Sequence, residues 1–284
     1  MEMVEAKLVA LSLALVAVSC AQAPRISWEK FEMDEHRSGT AVFTADNLPE
    51  AFGSLTDSVY LSPSGRSFEK GSATYAVAAE MYAVQPLMTH LKEVIAYSDA
   101  RMEVESPECA LADWAVDCVM QRTAAITGRR VDVGFLNFGG IRVAMPEGPV
   151  TNDDIVSMFP FRNYLSYVAL KGVDLKAIFD KFAMTGTPQA IGGVMFVMGG
   201  GKTVELLVGG EPVDPEKVYG VATIDFLLDG GDNMTVAKNA RELIITKELL
   251  YTAIDANVRA ITARGEHISY STDGRIEIIG GEVQ

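Results

Sequence analysis

Three short segments hold the side chains whose types and spacing could do chemistry. The first is Asn137-Phe-Gly-Gly-Ile-Arg142. Its two glycines permit close backbone approach, and the guanidinium that follows could fork onto a carboxylate or phosphate. A tight turn with a surface arginine accounts for the same residues. The second is Phe159-Pro-Phe161-Arg-Asn163, an X-Pro kink with two aromatic rings, whose other reading is a pair of core side chains. The third is Ala222-Thr-Ile-Asp-Phe226-Leu-Leu-Asp-Gly230-Gly231-Asp232. Here an aromatic precedes a Gly-Gly loop and an acid; a turn with a capping aspartate reads the same way. Other reactive side chains are scarce. There are three histidines (His36, His90, His267) and three cysteines (Cys20, Cys109, Cys118), with no CxxC and no two histidines within four residues of each other. Those counts argue against a dense His/Cys metal cage.

The chain of 284 residues is long enough for one or two domains, and 49% hydrophobic with 22% charged residues is the composition of a folded protein. Acids outnumber bases by 38 to 24, for a net charge of -14. That balance excludes a broad basic face for a nucleic-acid polymer, but not a small basic pocket for one phosphate.

Hydrophobic periodicity supplies the elements that must position the three segments. Helical spacing runs from Ala73 to Ala96, interrupted at Pro86, and again over about 107–127, ending at Gly128. Val131–Asn137 predicts a short buried strand. Thr151-Asn-Asp-Asp predicts a helix over 152–158 with acids at its N-terminus. A strand over 164–171, a helix over 173–184, a hairpin of 193–198 with 203–208 and a strand over 218–223 follow. The pattern from Leu243 to Thr262 predicts one long amphipathic helix, and Ile268–Tyr270 with Arg275–Ile279 predicts a closing hairpin. Residues 25–75 read as an irregular extension packed on the main body. Cys109 and Cys118 lie nine apart on one helix, about 13 Å, too far for a disulfide. Helices and strands mingle without a strict βαβ repeat, which predicts an α+β fold with a mixed sheet.

Taken together, the order and spacing of the three segments resemble the C-terminal domain of the 5′-nucleotidases. The pattern N-x-G-G-I-R, then P-F about twenty residues on, then a strand ending in (T/L)-x-(D/N)-F-L-x-x-G-G-D is matched by Asn137–Arg142, Pro160-Phe161 and Tyr219–Asp232. The likeness covers about 93–279. It implies a single mixed-sheet domain that binds the substrate nucleotide. Phe161 and Phe226 would sandwich the base, Asp232 would hold the ribose hydroxyls, Arg142 would pair with phosphate and Asn137 would contact the base. Two departures stand out. The family's further phosphate arginine, just before a segment matching Glu105–Leu111, is Val104 here, with Arg101 nearest; and the glycine usual after Gly-Gly-Asp is Asn233.

Full-length members of that family carry a metallophosphoesterase domain with D-x-H, G-N-H and G-H-x-H motifs. The set does not occur in this sequence: Asp34-Glu35-His36 has the D-x-H spacing alone, and neither G-N-H nor G-H-x-H is present. The resemblance therefore implies no catalytic residue, metal or cofactor within these residues, with divalent metals expected on a separate metallophosphoesterase partner. The expected organisation is a leader at 1–24, an extension and helix at 25–92, and the nucleotidase-like domain at 93–284. Leu8–Ser19 is an apolar run of signal-peptide length, and Ser19-Cys20 resembles a lipobox, so Cys20 is the expected lipidation site. Cleavage after Ala21-Gln22-Ala23 is the rival. The chain is thus expected to be exported, as a periplasmic or outer-membrane lipoprotein or a soluble secreted protein, with membrane contact only through the lipid. Two other functions fit the same residues: a non-catalytic nucleoside- or nucleotide-binding lipoprotein, and an interaction scaffold whose old pocket is only core.

Overall fold

The structure is a computed structural model and describes residues 48–280. The leader and Cys20 lie outside the described residues. The described chain divides into two compact units at the boundary between Tyr75 and Ala76. In the first, helix α1 (Leu48–Phe52) leads into strands β1 (Ser54–Leu55), β2 (Val59–Leu61) and β3 (Ser67–Glu69). These pair antiparallel in the order β1-β2-β3. Within the described part of the 25–75 segment the expected irregular chain is therefore corrected: Tyr60 and Phe68, directly opposite one another, stack their rings 6.1 Å apart and give the small sheet an apolar cross-strand pair.

Helix α2 (Ala73–Val84) is followed by a 3₁₀ segment (Gln85–Lys92) with Pro86 in its first turn, and then by strand β4 (Val94–Ser98). Helix α3 (Ala110–Thr127), strand β5 (Val133–Leu136), strand β6 (Gly148–Thr151), helix α4 (Asn152–Met158), strand β7 (Tyr164–Lys171) and helix α5 (Gly172–Thr185) come next. Strands β8 (Ala190–Gly192), β9 (Val194–Gly199), β10 (Lys202–Val208), β11 (Glu211–Pro212), β12 (Val218–Ile224) and β13 (Glu242–Leu249) follow. Helix α6 (Leu250–Ala263) and strand β14 (Ile276–Ile279) complete the described chain.

The central sheet has the order β13-β7-β12-β5-β8, with β12 parallel to β5 and antiparallel to β7. Strands β5 and β7 and all of β12 after Val218 are almost wholly buried, as expected for strands covered on both faces. Neighbouring residues of β5 show what covers them. A side chain on Gly134 would run into Val116 and Met120 of α3 at 2.5 and 2.6 Å, whereas the Phe135 ring packs on Phe179 and Phe182 of α5 at 5.5 and 6.2 Å. Successive strand residues face opposite ways, so α3 and α5 lie on opposite faces. The mixed α+β architecture expected from the sequence is what the chain adopts. A second sheet, β11-β10-β9-β14, holds the predicted 194–208 hairpin.

Three expectations are corrected. Val94–Ser98 continues no helix; it pairs antiparallel with β6. Glu242–Leu249 is a strand on the edge of the central sheet, paired with β7, and the helix starts only at Leu250. Its Ile244-Ile-Thr246 run favours a strand, and the ion pairs Arg122–Glu248 (2.6 Å) and Arg129–Glu242 (2.7 Å) connect it to α3 and to the turn that ends α3. The expected closing hairpin is absent: β14 pairs parallel with β9, and Ile268 bridges to Ser98 instead. The predicted helix α4 is present, opened by a full capping box between Thr151 and Asp154. Cys109 and Cys118 are buried free thiols.

Gly220 on β12 has no space for a side chain, because a Cβ there would sit 2.0 Å from the Arg130 carbonyl oxygen. Its N–H donates to Asp132 Oδ2 at 2.9 Å, and its carbonyl accepts from Asp132 N–H at 2.7 Å. Gly220→Ala is expected to cost about 1–3 kcal/mol by overpacking against backbone, measured as a lower urea midpoint at unchanged slope.

Candidate functional site

The sheet register brings the three chemistry-bearing segments to one edge. Parallel pairing sets Ala222 of β12 beside Gly134 of β5, so both strands end at the same side, on Asn137 and Asp225. Antiparallel pairing sets Ile224 opposite Leu165, so the segment entering β7, which carries Phe161, arrives there too. Ligands collect at the carboxyl ends of parallel strands because the loops diverge there.

Asp225 joins two of these loops. Its Oδ1 accepts the N–H of Tyr164 at 3.0 Å and that of Phe226 at 2.9 Å. No role was expected of Asp225, although it fills the acid position before Phe226 in the quoted pattern. Phe161 and Phe226 are each 46% exposed, against core rings such as Phe135 and Phe159 that are buried. The two rings of the Phe159-Pro-Phe161 kink thus divide: Phe159 enters the core and Phe161 faces out.

Asn137 is 6% exposed and donates from Nδ2 to Asp232 Oδ2 at 2.6 Å. The first and third segments therefore meet directly. Gly140 makes room for this bond, since a Cβ there would lie 2.7 Å from Asn137 Oδ1. Gln189, also unassigned by the sequence reading, accepts the N–H of Phe138 through Oε1 at 3.1 Å. Arg142 is anchored by its backbone N–H to the Met158 carbonyl (3.0 Å). Its Nη1 donates to Gly139 O at 3.1 Å, and its guanidinium carbon lies 6.0 Å from the centre of the Phe161 ring. That is cation–π distance.

Asp232 and Asn233 both adopt the left-handed backbone, with φ of 46° and 60°. Asp and Asn are the side-chain-bearing residues that enter this region most readily. The glycine before them is required by packing: a Cβ on Gly231 would sit 2.0 Å from Phe226 O and 2.8 Å from its ring. The Lys181 ammonium, on α5, donates to the Asn233 carbonyl and closes the turn.

Two spaces adjoin these residues. A crevice of about 10 Å³ lies beneath Phe161, lined by Asn137, Gly140, Phe159, Asn163 and Ile224. A cleft of about 540 Å³, lined by Lys181, Phe182, Asp232, Asn233 and Lys238, opens beside Asp232. Asp232 is shared between the Asn137 side and this cleft.

Residues 88–239, more than half of the chain, match the profile of the 5′-nucleotidase C-terminal domain. The chain belongs to that family. Protein UshA of Escherichia coli is 32% identical over 117 residues, covering 40% of this chain and 20% of its own length. Protein UshA of Salmonella pullorum is 29% identical over 155 residues, covering 50% of this chain and 28% of its own length. This chain thus matches less than a third of the length of those relatives. Among solved structures, a 5′-nucleotidase precursor from Thermus thermophilus superposes with a TM-score of 0.64 at 24% identity, over 73% of this chain and 44% of that one. The NAD nucleotidase of Haemophilus influenzae superposes at 0.56 and 16% identity, over 79% and 48%. Both show the same fold.

The family departures have physical counterparts. Val104 is half-buried against the core, and Arg101 is ion-paired with Glu103. Asn233 stands at φ 60°, where the family's usual glycine suits the backbone. Asp225→Ala removes the acceptor of two N–H groups and is expected to cost about 1–3 kcal/mol, with Asp225→Asn, which keeps one acceptor oxygen, losing less. Chemical denaturation of both variants measures the difference.

Proposed function

We propose that this edge of the sheet binds a nucleoside 5′-phosphate and that a separate metallophosphoesterase supplies the metals that hydrolyse it. The observation that carries this reading is the pair of half-exposed phenylalanines, Phe161 and Phe226, on loops tied together by Asp225. An exposed ring beside buried core rings offers a face to a base, and such stacking is worth about 1–3 kcal/mol per base. The crevice under Phe161 is too small for a base, so the base lies on the rings rather than beneath them. Asp232 commits Oδ2 to Asn137, which leaves Oδ1 to accept from ribose hydroxyls. Arg142 commits Nη1 to Gly139 O, leaving Nη2 and Nε for a phosphate. Asn137 orients the base edge.

The donors gathered here are a carboxylate, an amide and a guanidinium. That set does not fit a pair of catalytic metals, which needs several carboxylate and imidazole ligands. No hydrolytic step is therefore assigned to these residues. Export with a lipid on Cys20 completes the proposal, resting on the Leu8–Ser19 run and the Ser19-Cys20 pair.

A second reading, a nucleoside binder without hydrolytic role, is favoured by Val104 standing half-buried where the family keeps a phosphate arginine. Calorimetry with AMP and adenosine separates the two. Tighter AMP binding, lost in Arg142→Ala while adenosine binding persists, supports the nucleotide reading; equal affinities support the nucleoside reading. Phe161→Ala and Phe226→Ala are each expected to weaken AMP binding about 5- to 150-fold. Enzyme-like AMP hydrolysis by the purified chain alone, after chelation and metal replacement, would overturn the need for a partner.

A further inference from the structure

At the start of α3, away from the residues assigned above, four carboxylates surround one guanidinium. Arg275 is buried, and burial works against its charge, but bonds from Asp117 and Asp273 hold its proton above the usual arginine range. Its two terminal nitrogens go to Asp117 at 2.8 and 2.7 Å, and its Nε goes to Asp273 Oδ1 at 2.8 Å. Nη1 also reaches the Ile191 carbonyl at 3.2 Å, and Nη2 reaches the Tyr270 hydroxyl at 3.1 Å. The guanidinium is thus fully engaged. Two acids remain, Glu108 and Asp113, so four carboxyl groups gather around one guanidinium.

Asp113 is the outlier. It is 2% exposed, and its Oδ2 is buried with no hydrogen-bond partner. Arg275 Nε is 3.9 Å from that oxygen, beyond hydrogen-bond reach. A buried carboxylate oxygen left without a partner carries its full desolvation cost. Glu108, Asp113 and Asp273 each place an oxygen within 4.8 Å of the others. That spacing suits oxygens around one ion at 2.3–2.6 Å, the Ca²⁺–oxygen distance. Glu108 is held in place independently of any ion: its Oε1 accepts the N–H of Gly274 at 2.9 Å and its Oε2 that of Ile276 at 3.2 Å.

We propose that Glu108, Asp113 and Asp273 form a site for a divalent cation of the calcium type. The ion would satisfy the orphaned oxygen of Asp113. It would also clasp the 273–276 segment, and with it β14, to the first turn of α3. The role is structural and independent of nucleotide binding. Oxygen-only ligands favour a hard ion over zinc.

The test is calcium titration of the chain stripped with EDTA, by calorimetry and by thermal melting. Wild type is expected to bind one Ca²⁺ and to melt roughly 5 °C higher at saturating ion. Asp113→Asn and Asp273→Asn are expected to weaken binding at least tenfold and to abolish that rise. Asp113→Asn should melt no lower than wild type without calcium, because it removes a buried charge while keeping the shape, so loss of the response cannot be laid to misfolding. Absence of binding heat and of a melting shift in wild type with Ca²⁺, Mg²⁺ or Mn²⁺ would overturn the proposal. So would an equal shift in Asp113→Asn, which would put the ion elsewhere. Unchanged AMP binding in Asp113→Asn keeps this result separate from any failure of the nucleotide reading.

Discussion

One carboxylate oxygen decides the shape of the candidate site. Asp225 Oδ1 takes the first N–H of β7 and the N–H of Phe226, and so sets the distance between the loop that carries one exposed ring and the loop that carries the other. It can do so because β12 lies between a parallel and an antiparallel neighbour. Mixed pairing brings the end of two strands and the beginning of a third to the same edge. A purely parallel or purely antiparallel arrangement of these three strands would send one of the loops to the far side of the sheet.

The loop at Gly230–Asn233 is the strained part of this edge. Two consecutive side-chain-bearing residues in left-handed backbone are uncommon, and such conformations persist only where the surroundings over-determine them. Here the surroundings are the Asn137–Asp232 bond, the Lys181 ammonium on the Asn233 carbonyl and the Phe226 ring pressed on Gly231. Strain and support together point Asp232 toward Asn137.

Charge is distributed with the same economy. In a chain of net charge -14, seven described arginines pair with carboxylates: Arg101, Arg122, Arg129, Arg130, Arg259, Arg264 and Arg275. Arg142 has instead a carbonyl and an aromatic face. An arginine held by neutral groups keeps its charge available to an anion, while the surrounding acids deter polyanions. At the start of α3 the balance reverses, with acids in excess over the single Arg275.

Much of this was legible in the amino-acid order. The buried runs of β5, β7 and β12, the helix that Thr151 opens and the hairpin of 193–198 with 203–208 follow from local pattern, because continuous apolar runs, capping oxygens and Gly-rich turns are encoded within a few residues. Asn137, Arg142, Phe161, Phe226 and Asp232 were legible as a set through their spacing. What local pattern misplaced was decided at long range. Glu242–Leu249 reads as the front of a helix until β7 offers it an edge and Arg122 and Arg129 offer it partners. Ile276–Ile279 reads as half a hairpin until β9 accepts it in parallel. The same holds within the site. Sequence determined which side chains were available; tertiary structure decided that Phe159 is core and Phe161 is not, that Asp225 is the fastener, and that Asn137 meets Asp232 across 95 residues of chain. The reason is physical: burial and hydrogen-bond partners are properties of the packed sheet, and no window of neighbouring residues contains them.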